Sequence, residues 1–346
     1  TDRQTDRQTD RQTDRQTDRQ TDRQTVITRI NNLRGLFAVM IVMGHCSMHF
    51  ERELLPLMLI HRFNMVSVCF FFMASGLSLS YNLDHKQRYL KGFVRNKIIL
   101  LMIFAFIAQV IGELVKGIVS GKFLTLDLMI LTGWNWYIYE VSALYLIFYI
   151  INKFVKSTHT REVLFWITAF AICILTLYFC KNGKWEGWTG AYYFSTLSFP
   201  LGITLSLHFE EIQGYFMRHS LFKSFILLCT ALCSCLSLTM PNDSVIGGIF
   251  LRNIMGGCIM LILFIVTNYV DVSHIAVVSR IVLFLTKFSA EIYLYQFCLL
   301  DLWALVYDRL GRNIDLSYVC VVMVSTIALG YVMHLVDLRI SKAVKV

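Results

Sequence analysis

Residues 33–50 read LRGLFAVMIVMGHCSMHF, a stretch apolar enough to cross a bilayer that nonetheless carries Arg34 near its start and His45 within it. A spanning helix needs about 20 mostly apolar residues, because backbone polar groups inside lipid must be bonded within the segment. Arg34 and His45 are eleven residues apart, and eleven steps of about 100° return to within roughly 20° of the starting face. They line one stripe, separated along the axis by about 16 Å. With a span starting near Leu33, Arg34 is expected near the cytoplasmic end and His45 past mid-membrane. Ionisable groups at that depth are costly unless paired or hydrated. Two readings stay open: a functional site, or a neutral His45 bonded to another helix with Arg34 reaching to headgroups.

The rest of the chain has the same character. Its 346 residues are 56% hydrophobic and 16% charged, with three prolines, a balance too apolar for a soluble domain of this length. Candidate spans begin near Leu33, Met65, Ile98, Tyr137, Val163, Tyr192, Leu221, Gly247, Ile281 and Ser317. The predicted fold is an all-α polytopic membrane protein with about ten transmembrane helices. Cytoplasmic loops carry the excess of lysine and arginine. An inside N-terminus places Lys86, Arg88, Lys91, Arg95, Lys97, Lys153, Lys156 and Arg161 on the inner face with Arg339, Lys342 and Lys345. The outer loops then hold the smaller share, so both termini are expected inside. The net charge of +9 lies mainly along those inner loops without a nucleic-acid motif, and fits anionic lipid headgroups or an anionic cofactor. The ten cysteines sit mostly in apolar spans without framework spacing, and read as packing residues, with no metal expected.

Residues 1–24 are TDRQ repeated six times. The tail has no apolar face and is expected to be disordered over residues 1–25, with the membrane domain occupying 26–346. By the genetic code the tetranucleotide ACAG, read three times as ACA GAC AGA CAG, encodes Thr-Asp-Arg-Gln. Gain or loss of one tetranucleotide shifts the downstream frame. The perfect repeat therefore suggests a slippage-prone tract that switches expression, a hypothesis that mixed Thr, Arg or Gln codons in the gene would sink.

Beyond the tail, INNLRGLFAVMIVMGH (30–45) resembles the first helix of the acyltransferase-3 family of integral membrane O-acyltransferases, with its Arg, ten residues, then His. Four further segments lie in family order: CFFFMASGLSLSY (69–81), YLKGFVRNKIILLM (89–102), WNWYIYEVSALYLIFYI (134–150) and FSAEIYLYQFCLL (288–300). The resemblance covers roughly residues 29–336. Two departures stand out: Gln296 replaces the late motif's usual His, and the third-span basic segment lacks its usual Pro. Glutamine cannot take up a proton, so no second catalytic base is expected at 296.

The resemblance implies transfer of an acyl group, usually acetyl from acetyl-CoA, to a hydroxyl of a glycan or lipid-linked sugar. It implies location in a bacterial inner membrane, on lipopolysaccharide or capsule precursors. A polyanionic cytosolic donor needs cations at the inner face, assigned to Arg34, Lys91 and Arg95. A sugar hydroxyl must lose its proton as it attacks, and His45 is the apt general base, directly or through an acyl-histidine. Ser75, Tyr137 and the backbone near Gly76 are candidate oxyanion donors. Glu140, near the outer end of the fourth span, reads as an acceptor contact or a solvated interfacial carboxylate. Glu291 reads as orienting a polar partner or as a structural hydrogen bond. Trp136 fits an interfacial anchor or a platform for a sugar ring. His208 beside a loop and His334 near a span end need no role. The alternatives are a transporter or flippase of a lipid-linked glycan, and an acyltransferase acting on a small molecule or lipid.

Overall fold

The computed structural model describes residues 23–50, 55–120, 136–181, 195–239, 249–269 and 276–345. Among these the regular elements are all helical. Helix α1 runs Arg23–Cys46 with a single turn residue at Leu33. It is followed by α2 (Leu55–His85), α3 (Leu100–Ser120), α4 (Trp136–Phe154) and α5 (Thr158–Lys181). Then come α6 (Ser198–Leu207), α7 (Phe209–Arg218), α8 (Ser220–Thr239) and α9 (Arg252–Tyr269). The chain closes with α10 (Ala276–Lys287), α11 (Ser289–Arg309) and α12 (Leu316–Lys345).

Seven helices among the described residues are long and apolar enough to cross a membrane, or eight if α7 and α8, bent by 97°, form one broken span. The expected starts at Leu33, Met65, Ile98, Val163 and Ser317 fall on such helices, and Gly247 lies outside the described residues, ahead of the spanning helix Ile249–Thr267. The start near Tyr192 also lies outside the described residues and is followed by the ten-residue α6. Two others correct the sequence reading. Helix α4, carrying tyrosines, Glu140 and Asn152, is not among the seven. The stretch begun near Ile281 is split: α10 stops at Lys287, Phe288 leaves helical geometry (φ −129°, ψ 29°), and the spanning helix is α11.

The first helix also starts earlier than its hydropathy suggests. RQTVITRINN looks polar, but Val26, Ile27 and Ile30 recur at helical spacing with Phe37 and are buried against Leu205, Phe209 and Phe264. An amphipathic stripe, not a continuous apolar run, carries the helix back to Arg23. Arg23–Thr25, at the end of the stretch expected to be disordered, are thereby helical. The Arg23 guanidinium donates to the Ser206 carbonyl at 2.6 Å, reaches Asp84 at 3.5 Å and lies over the Tyr81 ring.

Close helix contact comes from small residues, as membrane packing requires. Gly76 on α2 meets the Phe199 carbonyl of α6, and Gly202 on α6 meets the backbone of Met73 and Leu77 on α2. A Cβ at either would collide with backbone atoms. Pro200 sits in the first turn of α6, where its missing N–H is not needed. α11 ends in a Schellman motif: Arg312 N–H donates to the Tyr307 carbonyl (2.9 Å) and Gly311 N–H to that of Asp308 (3.0 Å), with Gly311 at φ 59°. Asp315 then accepts the Ser317 N–H at 2.8 Å to start α12. Outward-facing Phe106, Val110, Leu114 and Ile118 on α3, with Val163, Ile167, Phe170 and Ile174 on α5, form exposed apolar stripes suited to lipid. The chain is thus a multi-pass membrane protein.

Candidate active site

Arg34 lies in the middle of α1, eleven residues from Arg23 and twelve from Cys46. Its Nη2 donates to the Ala74 carbonyl of α2 at 3.2 Å, while its Nε is buried without a partner among the described residues. On the next residue, Ser75 Oγ accepts the Tyr145 hydroxyl of α4 at 3.1 Å. The Tyr137 hydroxyl lies near both Ser75 and the Arg34 charge. A guanidinium with donors to spare therefore stands beside three hydroxyls from two other helices.

His45 is one residue from the end of α1, beside the 3₁₀ turn Ser47–His49. Its Nδ1 lies 3.1 Å from Gln296 Oε1, and its ring packs 4.7 Å from that of Phe297. Gln296 is thirteen residues short of the end of α11, about 20 Å of helix rise. Measured on α11, His45 is therefore deep although it ends its own helix. Between the two layers, Tyr137 stacks edge-on with Tyr293 of α11 (5.1 Å) and packs 5.0 Å from Phe72 of α2. Arg34 reaches α2 and His45 reaches α11, while Gly35, next to Arg34, contacts Leu285 and Thr286 of α10.

The other candidates are distributed. Gly76 lies within helical backbone and serves the α2–α6 contact. Lys91 and Arg95 are exposed on the segment before α3, so the three expected cations divide into one half-buried and two at the surface. Trp136 begins α4 half-buried, 6.2 Å edge-on from Tyr137. Glu140 is not solvated; it is 4% exposed, accepts a hydrogen bond from Thr196, and keeps Oε2 buried without a partner among the described residues. Glu291 pairs with His334 Nδ1 at 2.7 Å, one helical turn from Asp337, whose carboxylate oxygens are buried without partners among the described residues. His208 also has partners, Glu162 at 3.0 Å and Glu211 at 3.3 Å.

These latter partnerships were invisible in the sequence, since Glu291 and His334 are 43 residues apart and Glu140 and Thr196 are 56 apart. Tyr145 and Gln296 were legible only as motif members, without partners. Among the described residues no group of three or more His, Cys, Asp or Glu is placed to hold a metal.

Fold and site together define a polytopic membrane protein whose first helix carries a half-buried arginine beside hydroxyl side chains and a histidine against an amide and an aromatic ring. The family model for the acyltransferase-3 domain, described as an acyltransferase domain, matches residues 27–335, and the chain belongs to that family. No curated protein and no solved structure matches it.

Proposed function

We propose that this protein is an O-acyltransferase of the bacterial inner membrane that moves acetyl from acetyl-CoA to a hydroxyl of a cell-surface glycan, such as lipopolysaccharide or capsule. The observation that carries the reading is the pairing on α1 of a half-buried arginine, whose Nε has no partner among the described residues, and a histidine eleven residues on. A gap of about 16 Å is too long for both side chains to touch one carbonyl. It suits a donor whose phosphate is held at Arg34 while its extended pantetheine arm delivers the thioester toward His45. Arginine's fork suits phosphate oxygens, and the exposed Lys91 and Arg95 add positive charge where a polyanion arrives.

In the reaction the acceptor hydroxyl attacks the thioester carbonyl, His45 takes its proton, and the tetrahedral intermediate expels the CoA thiolate, which leaves with that proton. The side-chain hydroxyls of Ser75 and Tyr137 are the candidate oxyanion donors, because the Gly76 amide belongs to the interior of α2. Trp136, at the start of α4, and the buried Glu140 one turn on are the acceptor-side candidates; Glu291 supports α12 through His334. Both termini face the cytoplasm in this scheme, and the tetranucleotide tract makes expression phase-variable.

Mass spectrometry of surface glycans from cells with and without the gene tests the reading. A difference of one acetyl per acceptor unit is expected. Identical glycans would remove the acetyl and acceptor assignments and return the transporter reading.

A further inference from the structure

We infer that Gln296 is a positioning residue that fixes the tautomer of His45, so that Nε2 is the nitrogen that takes the proton. The inference rests on the proposed role of His45 as base. Gln296 is wholly buried on α11. Its Nε2 donates to the Tyr293 carbonyl at 3.1 Å. A backbone carbonyl can only accept, which decides which end of the amide is NH₂. The other end, Oε1, then faces His45 Nδ1 at 3.1 Å. An amide oxygen also only accepts, so Nδ1 must carry the hydrogen, and the lone pair of the neutral ring lies on Nε2.

Phe297 packs against the imidazole, its ring tilted at 43°, and a 180° turn of the imidazole in its own plane would put Cδ2 in place of Nδ1 and lose the hydrogen bond to Gln296. The partner is neutral, unlike a carboxylate. It orients the imidazole without placing a charge beside it. The acceptor hydroxyl accordingly approaches His45 from the Nε2 side.

The test uses the full-length protein in lipid nanodiscs with ¹⁵N-labelled histidine. The His45 resonances are identified by their loss in His45→Ala, and wild-type protein is expected to show the Nδ1–H tautomer. An Nε2–H tautomer in wild type would overturn the inference without any variant of Gln296 being made. Gln296→Met, similar in length but with no oxygen acceptor, should mix the tautomers and lower kcat about ten- to a hundredfold, the usual cost of losing a partner that orients an imidazole. The KM for acetyl-CoA should stay unchanged. Gln296→Glu, which keeps an oxygen acceptor but adds a charge that favours the imidazolium, should restore the hydrogen on Nδ1 and recover kcat only in part. Tautomers unmoved by Gln296→Met, or moved with no change in kcat, overturn the proposal. Full activity in His45→Ala overturns the base assignment instead, and the spectra separate the two failures.

Discussion

At the scale of single residues, a charged group withdrawn from water is costly unless a partner offsets the loss of hydration. Arg34 is half-buried, donates to the Ala74 carbonyl, and keeps a buried Nε with no partner among the described residues. A spare N–H beside a positive charge suits an anion. Arg34→Ala is therefore expected to raise the KM for acetyl-CoA roughly tenfold or more, the loss of one charge-assisted hydrogen-bond set, while Arg34→Lys recovers only part. Steady-state kinetics on solubilised protein checks this, and unchanged KM values would remove Arg34 from donor binding. His45→Ala should abolish transfer while the protein still accumulates in the membrane, read by glycan acetyl content beside immunoblots of membrane fractions. Arg34 and His45 were legible because both residues and their shared face lie in one contiguous helix. The burial of Glu140 against Thr196 and the Glu291–His334 bond were not, because each joins segments far apart in the chain.

At the scale of helices, packing and caps decide what hydropathy cannot. Gly202 abuts the α2 backbone, its would-be Cβ 2.8 Å from Leu77 N, and backbone cannot swing aside as a side chain would. Gly202→Leu should cost about 1–3 kcal/mol or more from overpacking, seen as a lower thermal midpoint and reduced yield; a midpoint equal to wild type would show that α2 and α6 can separate. The bend between α6 and α7 carries His208, outside the candidate spans. Its hydrogen bond with Glu162, aided by the charges of Glu162 and Glu211, holds the imidazole above the usual histidine range. A raised folded value means that His208 stabilises the fold fully below about pH 6.5. That contribution is lost as pH rises through the folded value. Thermal midpoints measured from about pH 6 to about pH 8 should therefore fall more steeply in wild type than in His208→Gln. The early start of α1 belongs to the same scale: Val26, Ile27 and Ile30 were present as a stripe, but its value depends on Leu205, Phe209 and Phe264 being there to cover it.

At the scale of the whole molecule, α1 is the organising element. Its first half packs on α2 with residues from α6, α7 and α9, and its second half on α10, α11 and α12. Because α1 is helical from Arg23, removal of residues 1–22 is expected to leave thermal stability and acetyl transfer unchanged, measured on the truncated protein; lost activity would give the repeat a role in the protein itself. Membrane-impermeant labelling of single cysteines placed near either terminus should report both ends as cytoplasmic, and labelling from outside would invert the proposed donor side. By itself the sequence determined the helical membrane class, the family, and the eleven-residue Arg34–His45 spacing, since these depend on composition and on periodicity within one segment. The tertiary structure decided where α1 begins, where the ninth stretch breaks, which carboxylates are buried, and that Gln296 is the residue facing His45. Those features arise from contacts between helices distant in the chain, and the energy of such a contact is set by the partner that packing supplies.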